Sequence, residues 1–142
     1  MLPQQANPNG VIHGGEMVKL MDTAAAVVAQ KHTGNKKVVS ARIDEVEFHH
    51  PILIGDLTTC HAKLTFTGTT SMEVGVHVTI EDVTKAEPAK TAVTALFTFI
   101  ALTDEGKPMP VPALELTTDE ERHLFEAGRQ RYLTYKQHRK NQ

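Results

Sequence analysis

Between Gly14 and Thr33 the chain carries a helical repeat whose middle is almost bare of side chains, and that run limits the folds open to it. Met17, Leu20, Met21, Ala24, Ala25 and Val28 recur at steps of three and four, as on one face of a helix. His32-Thr33-Gly34-Asn35 then ends the pattern. The centre reads Thr23-Ala24-Ala25-Ala26. A solvent-facing helix does not need such small residues, whereas a helix that a sheet must approach closely does. The pattern predicts a central helix over 14–33 with other structure wrapped around it.

Four strand-like runs supply the wrapping, spread over 37–103 with only short turns between them. In Lys37 to Phe48, Val39, Ala41 and Ile43 share one parity, then Val46 and Phe48 take the other. That slip near Asp44-Glu45 predicts a bulge or sharp bend. Cys60, Ala62, Leu64 and Phe66 alternate with polar residues, as do Met72, Val74, Val76, Val78 and Ile80. Thr91 to Leu102 is apolar on nearly every position, so this strand should be central and covered on both faces. Residues 1–13 read as loop, and Pro108, Pro110 and Pro112 mark 104–116 as an extended linker. A last helix spans 117–140, with Thr118 and Glu121 as its capping box and its basic residues late, as the helix dipole favours. The fold class is α+β: one domain, 1–142, with an antiparallel sheet around a long helix and a second helix at the C-terminus.

At 142 residues the chain can bury a core without disulfides or metal. A net charge of -2 offers no broad basic surface for nucleic acid or an anionic membrane, so neither is expected as a partner. The single cysteine, Cys60, cannot form an intrachain disulfide and suits a reducing cytoplasm. Of the eight histidines only His49-His50 forms a close pair, without the companions of a zinc signature, so no metal is expected. A G-x-S-x-G elbow is absent too, which argues against a nucleophilic serine.

The chemistry concentrates in Ala6-Asn7-Pro8-Asn9-Gly10-Val11-Ile12-His13-Gly14-Gly15 and the first turns of the helix. Gly14 and Gly15 would leave backbone N–H groups open at the positive helix end, where an anion or developing oxyanion binds. Asp22, two turns on, borders the buried stripe. Burial favours the neutral form of a carboxylate and moves it toward a useful base. Asn7 is a neutral polar group that can polarise a carbonyl. Each also has a plain structural reading. Asn7 suits an Asx turn, His13 a helix cap, Thr70 and Ser71 a hairpin, and Asp22 a solvated helix surface.

The run N-P-N-G-V-I-H-G-G-E-M-V-K-L-M-D-T-A-A-A resembles the start of the cytosolic acyl-CoA thioesterases of the hotdog fold, the brain-type and bacterial acyl-CoA hydrolases. The stretches V-V-S-A-R-I-D-E-V-E-F-H-H-P-I-L-I-G-D, G-T-T-S-M-E-V and A-L-F-T-F-I-A-L-T-D-E-G-K-P-M-P-V-P are similar too, in the same order. The resemblance implies homodimers that share active sites, often trimers of such dimers, with Asp22 and Asn7 as a catalytic pair meeting across the dimer. It implies an acyl-CoA substrate, fatty acyl-CoA above all, and no cofactor beyond the coenzyme A of the substrate. In this reading the carbonyl meets the N–H groups of Gly15 and its neighbours, Gly14 among them, at the helix start, helped by Asn7 of the partner subunit; Asp22 activates water, His13 orients the loop, and Thr70 and Ser71 line the site from a neighbouring chain. Arg42 is one candidate for the coenzyme A phosphates. An aryl-CoA thioesterase, a hydroxyacyl dehydratase using His49-His50, and a non-catalytic acyl-CoA sensor are the alternatives.

Overall fold

The computed structural model describes residues 1–140. A short 3-10 turn, Pro3–Gln5, precedes α1 (Gly14–Thr33). Four strands follow: β1 (Val38–Phe48), β2 (Leu57–Thr67), β3 (Ser71–Glu81) and β4 (Lys90–Ala101), then α2 (Asp119–Lys140). All strand pairs are antiparallel, in the order β1-β4-β3-β2. The strand that is apolar on both parities, β4, is therefore internal, as its composition predicts.

Every fourth residue of α1 is buried: Met17, Met21, Ala25 and Ala29. They meet an inner sheet face whose register pairs Met72 with Phe99, Val74 with Phe97, Val76 with Ala95 and Val78 with Val93. Two alanines on the buried stripe let the sheet close over the helix. Gly34, at φ 66°, then stops α1 by turning its N–H back to the Gln30 carbonyl at 2.8 Å.

The edge strand β1 has two breaks in register. One lies between Asp44 and Glu47, where the apolar pattern slips, and Glu45 there adopts a φ of 51°. The other, between Ser40 and Arg42, has no counterpart in the apolar pattern. It sends Ser40 to the α1 side, opposite Phe99, and Arg42 to the outer side, opposite Thr98. Val39, Ala41 and Ile43 therefore do not share one face.

The proline linker runs past the end of the sheet, bonding Ala101 O from Met109 N (3.0 Å) and Thr69 O from Val111 N (2.9 Å). It delivers α2 to the outer face, where Phe66 packs against Phe125 and Tyr132. Gly128 is the buried residue of α2, set directly on Phe66. Arg131 donates two bonds to the Glu73 carboxylate, at 2.7 and 3.0 Å, and Thr65 Oγ1 donates a third at 2.8 Å. The capping box forms in altered shape. Glu121 N–H donates to Thr118 Oγ1 at 3.1 Å, but the Glu121 carboxylate takes the N–H of Thr117. Outward residues of β4 (Thr94, Leu96, Thr98 and Ile100) are half-buried, against complete burial of its inner row. A sheet curled around one long helix, with a second helix behind, is the hotdog fold that the resemblance implies.

Candidate active site

Backbone bonds on two sides hold the loop before α1. His13 N–H donates to Gln5 O at 3.0 Å and Ile12 N–H to Ile52 O at 2.8 Å, while the Ile12 side chain enters the core. Asn7 forms the expected Asx turn: its Oδ1 accepts the N–H of Asn9 at 2.9 Å and of Val11 at 3.1 Å. Gly10 closes the turn at φ 79°, a conformation that favours glycine. With its oxygen engaged twice, the Asn7 side chain keeps its NH₂ without a partner among the described residues.

His13 is the residue before the helix, but its side chain makes no capping bond. The N–H groups of Glu16 and Met17 turn back to His13 O, at 3.1 and 3.4 Å. Those of Gly14 and Gly15 have no acceptor among the described residues. A Cβ on Gly14 would lie 3.0 Å from the Phe48 ring, so the ring packs directly over the helix start. Over Gly15 there is open space within 4 Å. Two N–H groups at the positive end of a 20-residue helix thus have no acceptor among the described residues, where the helix dipole favours an anionic oxygen.

Asp22 is half-buried, and Ser40 Oγ donates to its Oδ1 at 2.6 Å. Sequence reasoning missed Ser40. Its inward direction depends on the unpredicted break at Ala41, and no local pattern marks a serine on an edge strand. Asp22 stands seven residues beyond Gly15, about 10 Å along the helix axis, and no hydrogen bond joins it to Asn7 among the described residues. Within one chain Asn7 lies in the loop that leads into His13, Gly14 and Gly15, and Asp22 lies two turns further along the helix.

Thr70 and Ser71 lie at the other end of the sheet. Ser71 pairs with Ile100, and its side chain sits by Gly68 and Tyr132 on the α2 side. Arg42 lies on the outer face, away from the helix start. It is 2.9 Å from Asp44 and stacks 3.3 Å over the Tyr135 ring. The rings of His49 and His50 are held by Thr94 Oγ1 (3.0 Å) and Thr91 O (3.1 Å). Burial pushes the Cys60 thiol up, which disfavours the thiolate that a nucleophile needs. Beside the helix start lies an apolar pocket of about 290 Å³, walled by Val11, Gly14, Met17, Phe48, Pro51 and Ile52.

A family model described as the thioesterase superfamily matches residues 9–87, from the Asn7 loop through β3. The chain belongs to the thioesterase superfamily. Among superfamily relatives, the cytosolic acyl coenzyme A thioester hydrolase of Mus musculus is 39% identical over 135 residues. That match takes in 94% of this chain and 35% of the relative, so the chain spans about a third of the curated relatives it first matches. The acyl-CoA thioester hydrolase YciA of Salmonella typhimurium is 34% identical over 78% of this chain and 84% of its own length. Acyl-CoA hydrolase from Staphylococcus aureus, solved with butyryl coenzyme A and coenzyme A, superposes with a TM-score of 0.88 at 36% identity, covering 99% of this chain and 85% of that one. It has also been solved with an asparagine, an aspartate or a threonine replaced by alanine. A hexameric acyl-CoA thioesterase gives a TM-score of 0.89 at 35% identity, covering 97% and 87%.

Proposed function

We propose that this chain is an acyl-CoA thioesterase, releasing free fatty acid and coenzyme A, with each active site completed by two copies. The observation that carries the reading is the uncapped helix start, where the N–H groups of Gly14 and Gly15 and the NH₂ of Asn7 are donors without acceptors. Donors fixed in advance around a developing oxyanion are worth roughly 10²–10³ in rate each. The thioester carbonyl oxygen sits among them. Asp22, oriented by Ser40, takes a proton from water as the water oxygen bonds to the carbonyl carbon. The tetrahedral intermediate collapses, the C–S bond breaks, and coenzyme A departs as thiolate to be protonated.

The distance of about 10 Å between Gly15 and Asp22 along one helix favours a base supplied by a second copy. Leu20 and Val27 on α1, and Ile43 on the inner side of the edge strand, are exposed apolar residues that such a copy would cover. The aspartate and asparagine replaced in the Staphylococcus aureus enzyme are separated along its sequence by the same interval as Asp22 and Asn7, which supports their pairing. Thr70 and Ser71, remote from the helix start of their own chain, could serve only a neighbour's site, as a trimer of dimers would allow. The cytosolic naming of the relatives supports a cytoplasmic location, and no cofactor takes part in the proposed reaction.

The test is thiol release from fatty acyl-CoA and phenylacetyl-CoA. Asp22→Ala should lower kcat by roughly 10²–10⁴-fold and Asn7→Ala by roughly 10²-fold or more. Ser40→Ala should cost about tenfold through one lost charged hydrogen bond, and Ser40→Thr should restore it. Mixing the two inactive variants should recover about a quarter of wild-type activity, because half the dimers are mixed and each holds one intact site. Faster release from phenylacetyl-CoA would move the substrate to the aryl class. Folded protein that binds acyl-CoA but releases no thiol would overturn the enzyme reading.

A further inference from the structure

The pocket of about 290 Å³ shares Gly14 with the oxyanion donors and opens beside them. Its floor is fixed. Met17 and Ile52 are 1% and 3% exposed, part of the main core, and cannot move without repacking it. Its movable wall is Phe48, the last residue of β1, whose ring lies on Gly14 at 3.0 Å from the Cβ position while 55% of the residue stays exposed. Pro51 stiffens the opposite side. Few polar atoms face the interior, and the two histidine rings at the rim, His49 and His50, are occupied with β4. The contents should therefore be hydrocarbon.

A carbonyl carbon held at Gly14 and Gly15 has its acyl chain beginning next to this pocket. We infer that the pocket receives the acyl chain and that Phe48 sets the length accepted; this rests on the thioesterase reading. The capacity follows from volume. An apolar cavity of about 150 Å³ takes the six carbons of benzene, so about 290 Å³, part of it an open mouth, takes a chain of about ten carbons. Shorter chains leave wall uncovered, and each added methylene should raise kcat/KM about fourfold until the pocket fills. Beyond that length the chain meets the Phe48 ring, and the gain stops.

Phe48→Ala removes six ring carbons, roughly the volume of one benzene, from a residue more than half exposed, so the fold should survive. Phe48→Trp makes the opposite change and guards against a misleading loss of packing. The experiment is kcat/KM for saturated acyl-CoAs from acetyl to palmitoyl, in wild type and both variants. The expected result is a wild-type optimum at about ten carbons, moved about five carbons longer in Phe48→Ala and shorter in Phe48→Trp. Thiol release with the same length profile in all three proteins would overturn the assignment of the pocket while leaving the hydrolase standing. No thiol release from any acyl-CoA would overturn both.

Discussion

Gly128→Ala is a severe test of how α2 is held to the sheet. An isolated helix should welcome it, because alanine is better than glycine in a helix interior by about 1 kcal/mol. Here the new methyl would lie 2.6 Å from Phe66 Cβ, 3.2 Å from Phe66 Cγ and 3.0 Å from Glu73 Oε1. Phe66 Cβ is fixed to the strand backbone, so no rotamer change relieves the contact. The helix must rise instead by nearly 1 Å. Overpacking of this kind costs about 1–3 kcal/mol. Arg131 is one turn further along the same face, and lifting it stretches bonds to Glu73 that are now 2.7 and 3.0 Å long. Weakening a charged pair of that type costs about 1.5–3 kcal/mol more. Against the propensity gain, the net loss is about 1.5–5 kcal/mol. For a chain of this size each kcal/mol shifts Tm by about 4 °C, so the midpoint should fall by about 6–20 °C. Calorimetry or circular dichroism at matched protomer concentration measures it, because an oligomer's midpoint depends on concentration. Ala127→Gly, exposed on the same turn, provides the scale for propensity alone. A Gly128→Ala midpoint at or above wild type would refute the close packing of α2 on Phe66.

Two further outcomes follow from titratable groups. His61 and His77 stack with ring centroids 4.5 Å apart on neighbouring strands, and burial, then the His61 charge, holds the His77 pKa below its usual 6.5. The unfolded chain therefore binds a proton that the folded chain resists, and stability should fall as pH drops through 6.5 and below. His77→Gln should flatten that part of a urea-midpoint profile between pH 7.5 and 5.5; an unchanged slope would remove His77 as its source. Cys60 should react with a thiol reagent at neutral pH more slowly than a free cysteine, and Cys60→Ala should keep kcat within about twofold, since a half-buried thiol with a raised pKa offers little thiolate.

Much of the architecture was legible because short-range patterns fix it. The spacing of Met17, Met21 and Ala25 announced a helix with one buried face, and the double apolar parity of β4 announced its internal position. The bend at Glu45 showed as a change of apolar phase. The break at Ala41 did not, because Val39 and Ile43 keep the same parity across it although they end on opposite faces. Everything that depends on that break was hidden as well: the inward turn of Ser40 to Asp22, and the outward turn of Arg42 to Tyr135. The helix-start donors could be read from the two glycines alone. The pocket behind Phe48 could not, since Val11, Met17, Phe48 and Ile52 come together only through the tertiary fold.

The Asn7 turn divides one side chain between two tasks at the level of single atoms. Its oxygen belongs to the loop, and its nitrogen has no partner among the described residues. Aspartate at this position would keep the acceptor and the shape while losing the donor. If the proposed reading holds, that exchange of a single heavy atom would remove one half of the shared site and leave the loop and the helix start standing. The loop geometry thus rests on only one of the two polar atoms of the Asn7 side chain.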